Sequence, residues 1–274
     1  MIHPTALVHP EARVHPEAEI GPLCYVGAGV TVGRGTRLVG QVWVEGPTVI
    51  GEDARISPFA ALGGPPQDLG GRSSVGGLVI GDRTQIRESV TVHRGIDAPG
   101  TRIGDDCLIC AGSHIAHDSV LGNSCVVLSG TVAGYCRLDD HAVIGALALV
   151  TQRCHVGAYA FVAAMAKVDR DIPPYTIAQG NDHLTIRGVN LVGLRRHAFP
   201  AETLRHLRAA VRVWTTRVDL ARAERLQRMA ADHGHIPEVR NLIAFLTDRS
   251  TPLPAARPPA KHTAHAGAQP PSRD

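Results

Sequence analysis

An aliphatic residue recurs every six positions through most of the first 168 residues of this chain. The series runs Ile2, Val8, Val14, Ile20, Val26, Val32, Leu38, Val44, Ile50, Ile56, Leu62; then Ile80, Ile86, Val92; then Ile103, Ile109, Ile115, Leu121, Val127. One residue drops out, and the phase resumes at Val132, Leu138, Ile144, Val150, Val156, Val162 and Val168. Four residues after each aliphatic the side chain is usually small, as at Ala6, Ala12, Ala18, Ala54, Ala60, Ser113, Ala142, Ala148 and Ala160. A hexapeptide period describes a parallel β-helix, in which each hexad supplies one short strand and one corner. Three hexads close a triangular coil with the aliphatic pointing inward. Coils stack roughly 4.8 Å apart, so about nine of them make a prism around 40 Å long.

Composition agrees. Aromatic residues are only 4% of the chain, whereas 29 Gly and 19 Pro supply tight turns. Net charge is +3, too mild to imply a polyanion, so no nucleic-acid partner is expected. No apolar run reaches the roughly 18 residues of a membrane span, and Met1-Ile-His-Pro-Thr-Ala lacks the form of a signal peptide. The expectation is a soluble cytoplasmic protein without membrane insertion. Strict six-residue repeats of this kind resemble the left-handed β-helix family, an exception to the right-handed crossover rule. The expected fold class is therefore all-β: a left-handed parallel β-helix of hexapeptide repeats, followed by a small α-helical C-terminal domain.

Two stretches break the period: the Gly/Pro-rich residues 63–79, and residues 93–102, which insert about five extra positions. Loops leaving a rigid scaffold commonly carry function. The repeat stops at Asp171-Ile-Pro-Pro-Tyr175. Beyond it, Leu204, Leu207, Val211, Trp214 and Val218 recur at helical spacing after Pro200-Ala-Glu. A second helix is expected over Asp219–Asp232 and a third from Ile236-Pro-Glu-Val to about Thr247. The expected divisions are 1–185 for the β-helix, 186–248 for the helical domain, and 249–274 for a disordered Pro/Ala-rich tail.

Several polar side chains interrupt the pattern. Cys107-x2-Cys110-x3-His114-x2-His117 has the look of a zinc ligand string. Phase argues against it: Cys24, Cys107, Cys125, Cys136 and Cys154 all occupy the small-residue column, where a thiol acts as a small hydrophobe. Disulfides are not expected in this compartment. His3, His9 and His15 are repeated corner residues. His114, His117 and Asp118 differ, because with His93 one coil below they converge on one wall near both excursions. A neutral imidazole is the usual general base near pH 7, and a carboxylate beside it can orient it. Interfacial histidines stacking between subunits remain the alternative. A shared three-histidine metal site of the carbonic-anhydrase kind, using His93, His114 and His117, does not match the spacing that such a site needs.

Three segments resemble one family closely: Ile86-Arg-Glu-Ser-Val-Thr-Val-His-Arg-Gly95, His114-Ile-Ala-His-Asp118 and Ile172-Pro-Pro-Tyr-Thr-Ile-Ala-Gln-Gly-Asn181. Gln67-Asp-Leu69, Gly188-Val-Asn190 and Gly193-Leu-Arg-Arg196 match as well. The family is the UDP-N-acetylglucosamine O-acyltransferases that begin lipid A synthesis, and the resemblance spans roughly residues 1–248. It implies a homotrimer with sites between neighbouring prisms, and acyl transfer from acyl carrier protein to a sugar hydroxyl. His117 would be the general base, Asp118 its partner and the Gly134 N–H the oxyanion donor. Gln67, Asp68 and His114 would line the sugar and acyl site, with Tyr135 and Ala164 at positions that differ from the family's. Gln152, Asn190 and Arg196 would meet the nucleotide. No metal or redox cofactor is implied, since the acyl group arrives on phosphopantetheine. Independently, residues 186–217 hold seven arginines against Glu202 alone, which suits an acidic carrier protein or is an ordinary solvated helix face.

The sequence departs from the family pattern at defined places. Ala133-Gly134-Tyr135 stands where the family has Ala-Gly-His, just past the one-residue deletion, so a local shift in geometry is expected. Thr151-Gln152 replaces a His-Gln pair, and Gly70, with Arg72 nearby, stands where a basic residue is expected. Val192 replaces a Glu, His197 an Arg, and Ala163-Ala164 a Gly-Gly pair lining the acyl groove. These changes leave two further readings open: a paralogous acyltransferase for another nucleotide sugar or acyl donor, and a trimeric scaffold that binds without turnover.

Overall fold

The computed structural model describes residues 1–68 and 75–248. Its strands assort into three sheets of nine, eight and ten, and every pairing is parallel except the last. Successive strands visit the sheets in rotation, so the chain winds as a left-handed parallel β-helix with three flat faces. We number the faces by their first strands: face 1 from Leu7–Val8, face 2 from Arg13–Val14 and face 3 from Glu19–Ile20.

The period explains the core. The in-phase aliphatics Val26, Ile56, Leu62, Ile86, Ile109, Ile115 and Val127 are fully buried along the prism axis. Burying each contributes about 1.5–3 kcal/mol. The small column lies beside them: Ala54, Ala60, Ala142 and Ala160 are buried, and so are the five in-phase cysteines, all free thiols. Cys110, out of phase, is half-buried. Only the first coil lacks a neighbour on one side, which leaves Ile2 49% exposed.

Corners are two-residue turns whose second member takes the left-handed conformation, as at Asp106, Asp118, Ser124, Tyr135, His141 and Arg153, with φ between 55° and 64°. That conformation costs a non-glycine residue roughly 1–2 kcal/mol, and side-chain hydrogen bonds offset it. Along the edge between faces 2 and 3, Asp82 Oδ1 accepts the Glu52 N–H at 2.7 Å and Asp105 Oδ1 accepts the Asp82 N–H at 2.9 Å. Asn123 Oδ1 then accepts the Asp105 N–H at 2.9 Å, and Asp140 Oδ1 the Asn123 N–H at 2.7 Å. This ladder ties each coil to the next. The first-coil histidines act within their own corners: the Nδ1 atoms of His3, His9 and His15 each accept a backbone N–H two residues on, at 3.2 Å.

The one-residue deletion does not shift the neighbouring geometry, contrary to expectation. It is absorbed at the corner Leu128-Ser129-Gly130, between faces 3 and 1, and His114↔Thr131 and Ile115↔Val132 remain in register. At the next corner, Tyr135 N–H still bonds to His117 O at 3.1 Å.

Past the last coil, Thr185–Val189 turns back antiparallel on Thr176–Gln179 and leads into four helices: α1 (Leu191–Arg196), α2 (Ala201–Thr216), α3 (Arg222–His233) and α4 (Pro237–Thr247). The hairpin and α1 carry no hexad or long apolar stripe, so periodicity gave no sign of them. The second expected helix starts at Arg222 rather than Asp219: Asp219 pairs with Arg217 at 2.7 Å, and Glu224 caps α3 by accepting the Ala221 N–H at 2.9 Å. Val218, expected on the stripe of α2, lies beyond that helix and is 77% exposed. Leu194, Leu204, Leu207, Val211, Met229, Val239, Leu242 and Leu246 form the helical core, which packs on Tyr175 of the prism. Asn241 Nδ2 donates to Tyr175 Oη across that junction at 2.8 Å. The tail expected at 249–274 lies outside the described residues, as do Leu69, Gly70 and Arg72.

Candidate active site

One edge of the prism, between faces 1 and 2, collects both excursions and most of the predicted residues. Its successive corners are residues 65–68 and 75–76, where the first excursion leaves face 1 and rejoins face 2, then residues 94–99, His117-Asp118, Gly134-Tyr135 and Gln152-Arg153. The strand pairing Val92↔Ile115↔Val132↔Val150 stacks them in that order.

His117 and Asp118 form an ion-pair-type contact, Nδ1 to Oδ2 at 2.8 Å, with each side chain 7% exposed. Asp118 is fixed by more than the imidazole. Its Oδ2 accepts the Ile96 N–H at 2.9 Å, its Oδ1 accepts the Asp97 N–H at 3.0 Å, and its own N–H donates to Thr101 Oγ1 at 2.8 Å. The inserted loop therefore supplies the donors that hold the carboxylate. A carboxylate so placed keeps the proton of a neutral His117 on Nδ1 and leaves Nε2 with its lone pair.

Gly134 sits directly against the ring. A β-carbon there would meet His117 Cε1 at 2.7 Å and Nε2 at 2.8 Å, so only glycine admits the imidazole. The Gly134 N–H has no hydrogen-bond acceptor among the described residues. Tyr135 packs its ring edge-on against His117, centroids 5.2 Å apart. Its hydroxyl donates to Asp97 Oδ2 at 2.7 Å, which returns to the loop holding Asp118. The Arg153 guanidinium lies over the Tyr135 ring, 4.6 Å from its centroid.

His114 projects from face 1 and shares a proton with Thr91 Oγ1 across 2.7 Å, while the His93 ring meets it edge-on at 4.7 Å. His93 Nδ1 is buried without a hydrogen-bond partner among the described residues. Burial, then the charges of His114 and His117, push the His93 pKa down to about 4. Burial and then His117 lower that of His114 as well. Cys107 Sγ lies in the core and donates to Gly122 O at 3.1 Å, far in role from a metal ligand.

The remaining predicted residues divide among the edges. Gln67 is exposed and Asp68 half-buried where the first excursion leaves face 1; Gln152 is exposed one coil beyond Gly134. Ala164 is exposed on the corner between faces 3 and 1. Asn190 caps the start of α1 and Arg196 is its last residue, over the remaining edge, where His197 packs on Tyr159 and His141. Arg196 is exposed. The Asn190 side chain is 8% exposed at the residue level and engaged internally: its Oδ1 caps α1 by accepting the Gly193 N–H at 3.1 Å, and its Nδ2 donates to Tyr159 O at 3.0 Å. One chain thus brings His114, His117, Asp118, Gly134, Tyr135 and Gln152 together and holds Ala164, Asn190 and Arg196 apart from them. Clefts of 630 Å³ between the end of the prism and the helices, 450 Å³ in the helical domain and 450 Å³ at the N-terminal end lie away from His117. Sequence reasoning missed Thr91, Ile96, Asp97, Thr101 and Arg153. The extra length of residues 93–102 was the one signal that could have found the loop donors.

A parallel β-helix with a histidine–carboxylate pair on one edge defines the class of hexapeptide-repeat transferases. The family described as bacterial transferase hexapeptide (six repeats) matches residues 100–134. The family described as Udp N-acetylglucosamine O-acyltransferase, domain 2, matches residues 171–253. Among solved structures, LpxA from Acinetobacter baumannii is 32% identical, covering 89% of this chain and 96% of its own, with a TM-score of 0.85. LpxA of Bacteroides fragilis, a UDP-N-acetylglucosamine acyltransferase, is 34% identical over the same shares, with a TM-score of 0.84. The Arabidopsis UDP-N-acetylglucosamine acyltransferase is 31% identical, covering 89% of this chain and 95% of its own, with a TM-score of 0.76. The chain belongs to the UDP-N-acetylglucosamine O-acyltransferase family. No helix among the described residues is long and apolar enough to cross a membrane.

Proposed function

We propose that this protein is a cytoplasmic homotrimer that moves a 3-hydroxyacyl or related acyl group from acyl carrier protein to the 3-hydroxyl of UDP-N-acetylglucosamine, the first step of lipid A biosynthesis. The carrying observation is the His117–Asp118 pair, with Nδ1 committed to the carboxylate and Nε2 left as a base. His117 Nε2 takes the proton of the acceptor hydroxyl as its oxygen attacks the thioester carbonyl. The Gly134 N–H donates to the resulting oxyanion; loss of one such donor costs about 3 kcal/mol. Collapse of the tetrahedral intermediate expels the phosphopantetheine thiolate, which takes the proton back from the imidazolium. The chemistry needs no cofactor held by the protein.

The separation of predicted residues over three edges supports the trimer. Arg196 and Ala164 of one chain cannot line the same pocket as its own His117, but a neighbour can present them. His117 is 6% exposed, and that opening is where the acceptor approaches. Four exposed arginines, Arg195, Arg205, Arg208 and Arg212, line a 450 Å³ cleft between α1 and α2 and suit an acidic carrier protein. Asn190 caps α1 and through it positions Arg196 toward the nucleotide.

A second reading rests on the Tyr135–Asp97 contact at the position where the family has His. It favours a paralogous enzyme with another nucleotide sugar or donor. A panel of acyl carrier protein thioesters crossed with UDP-sugars, read by mass spectrometry, separates the two, and absence of product from every pair favours a binding scaffold. His117→Ala is expected to lower transfer by about 10²–10⁴-fold with melting temperature and oligomer mass retained; wild-type turnover in that variant would remove the general-base assignment.

A further inference from the structure

We propose that the helical domain carries a divalent transition-metal site, built for zinc, from Glu202, His206 and His235. Among the described residues these three offer ligand atoms that all lie within 4.8 Å of one another. Glu202 and His206 stand one turn apart on α2, which puts both on one face. Glu202 Oε1 lies 3.9 Å from His206 Nε2. The His235 ring meets the His206 ring edge-on, with centroids 4.7 Å apart.

The supporting shell is also present. His206 Nδ1 faces His233 Nδ1 at 3.1 Å, so one proton shared there fixes the ring and leaves Nε2 as the ligand nitrogen. Metal-bound imidazoles are oriented in this way by a partner on their other nitrogen. The turn bearing His235 is held by Arg240, whose Nη1 donates to Gly234 O at 2.9 Å and His235 O at 3.1 Å. Beneath it, Leu207, Met229 and Val239 are buried and lock α2, α3 and α4 together. The Glu202 side chain is 67% exposed and free to draw in. Arg205, 74% exposed, donates to His206 Nε2 at 3.2 Å and would swing away. Tetrahedral zinc with bonds near 2.0–2.1 Å needs ligand atoms roughly 3.3 Å apart, so closure of up to about 1.5 Å, made by the exposed side chains of Glu202 and His235, completes the set. Two imidazoles and one carboxylate select zinc, cobalt or nickel over magnesium or calcium, with water in the fourth position. The bound ion would clamp α2 to the α3–α4 turn, beside the arginine-lined cleft and far from His117.

The test is equilibrium dialysis of the full-length, tag-free protein against micromolar Zn²⁺, with Mg²⁺ in excess, followed by metal analysis. One zinc per chain is expected, and Co²⁺ in its place should give the absorption of a tetrahedral ion. His206→Ala should fall to background. His235→Ala, Glu202→Gln and His233→Ala should each bind at least about 10-fold more weakly, with far-UV circular dichroism unchanged. Equal zinc in wild type and His206→Ala, or none in wild type, overturns the site whether or not the protein transfers acyl groups.

Discussion

The edge between faces 2 and 3 and the edge between faces 1 and 2 use the same residue type for different ends. On the first, Asp82, Asp105, Asn123 and Asp140 each accept one backbone N–H from the coil before, and the pattern repeats without a break. On the second, Asp118 sits one position later in its corner, at φ 57°. It accepts two N–H groups from an inserted loop and the Nδ1 proton of His117. The difference is the insertion. A carboxylate at a regular corner serves the preceding coil, whereas one beside extra chain is free to serve a side chain and is held for that purpose from outside the repeat.

The comparison can be broken from either edge. The largest effect is expected for Asp118→Ala, which frees the imidazole and leaves two loop N–H groups unpaired. Transfer should drop by about 10²–10³-fold, and urea unfolding should show a loss of about 1–3 kcal/mol. Gly134→Ala should cost about 10²-fold in kcat by displacing the His117 ring, with little change in carrier protein affinity by titration calorimetry. A smaller signature is pH-dependent. His93 is held below its unfolded value of about 6.5, at about 4. Between those values the unfolded chain binds a proton that the folded chain excludes, so stability is full above pH 6.5 and declines as pH falls toward 4. After discounting for partial exposure the loss is about 1–2 kcal/mol, and His93→Gln should flatten that limb of the pH–stability curve. The least effect is expected for Asp105→Ala: about 1 kcal/mol by urea unfolding, with transfer unchanged. A matching loss of activity there would show that the two edges are not separable.

The prism was legible in the sequence because its period recurs through nearly every coil, and one residue in six reports on each strand. His117 and Asp118 were legible as polar residues where corners elsewhere are structural. What held them was not. The donors to Asp118 are backbone groups of Ile96 and Asp97, which have no side-chain signature, and Tyr135 reads as a substitution until its hydroxyl is seen on Asp97. The hairpin at 176–189 and the short helix α1 hid for a related reason: neither buries a repeating stripe. The cap that Asn190 makes was not legible either, because a helix cap and a nucleotide contact ask for the same amide.

The missing residue at 128–130 has a wider meaning. Each coil is hydrogen-bonded to its neighbours on every face, so a change in chain length at one corner is quarantined there and the stack above and below keeps its alignment. Segments that protrude from corners are therefore exchangeable parts. A lineage built on this plan can revise what its edges accept, one protrusion at a time, while its histidine–carboxylate pair stays where it was.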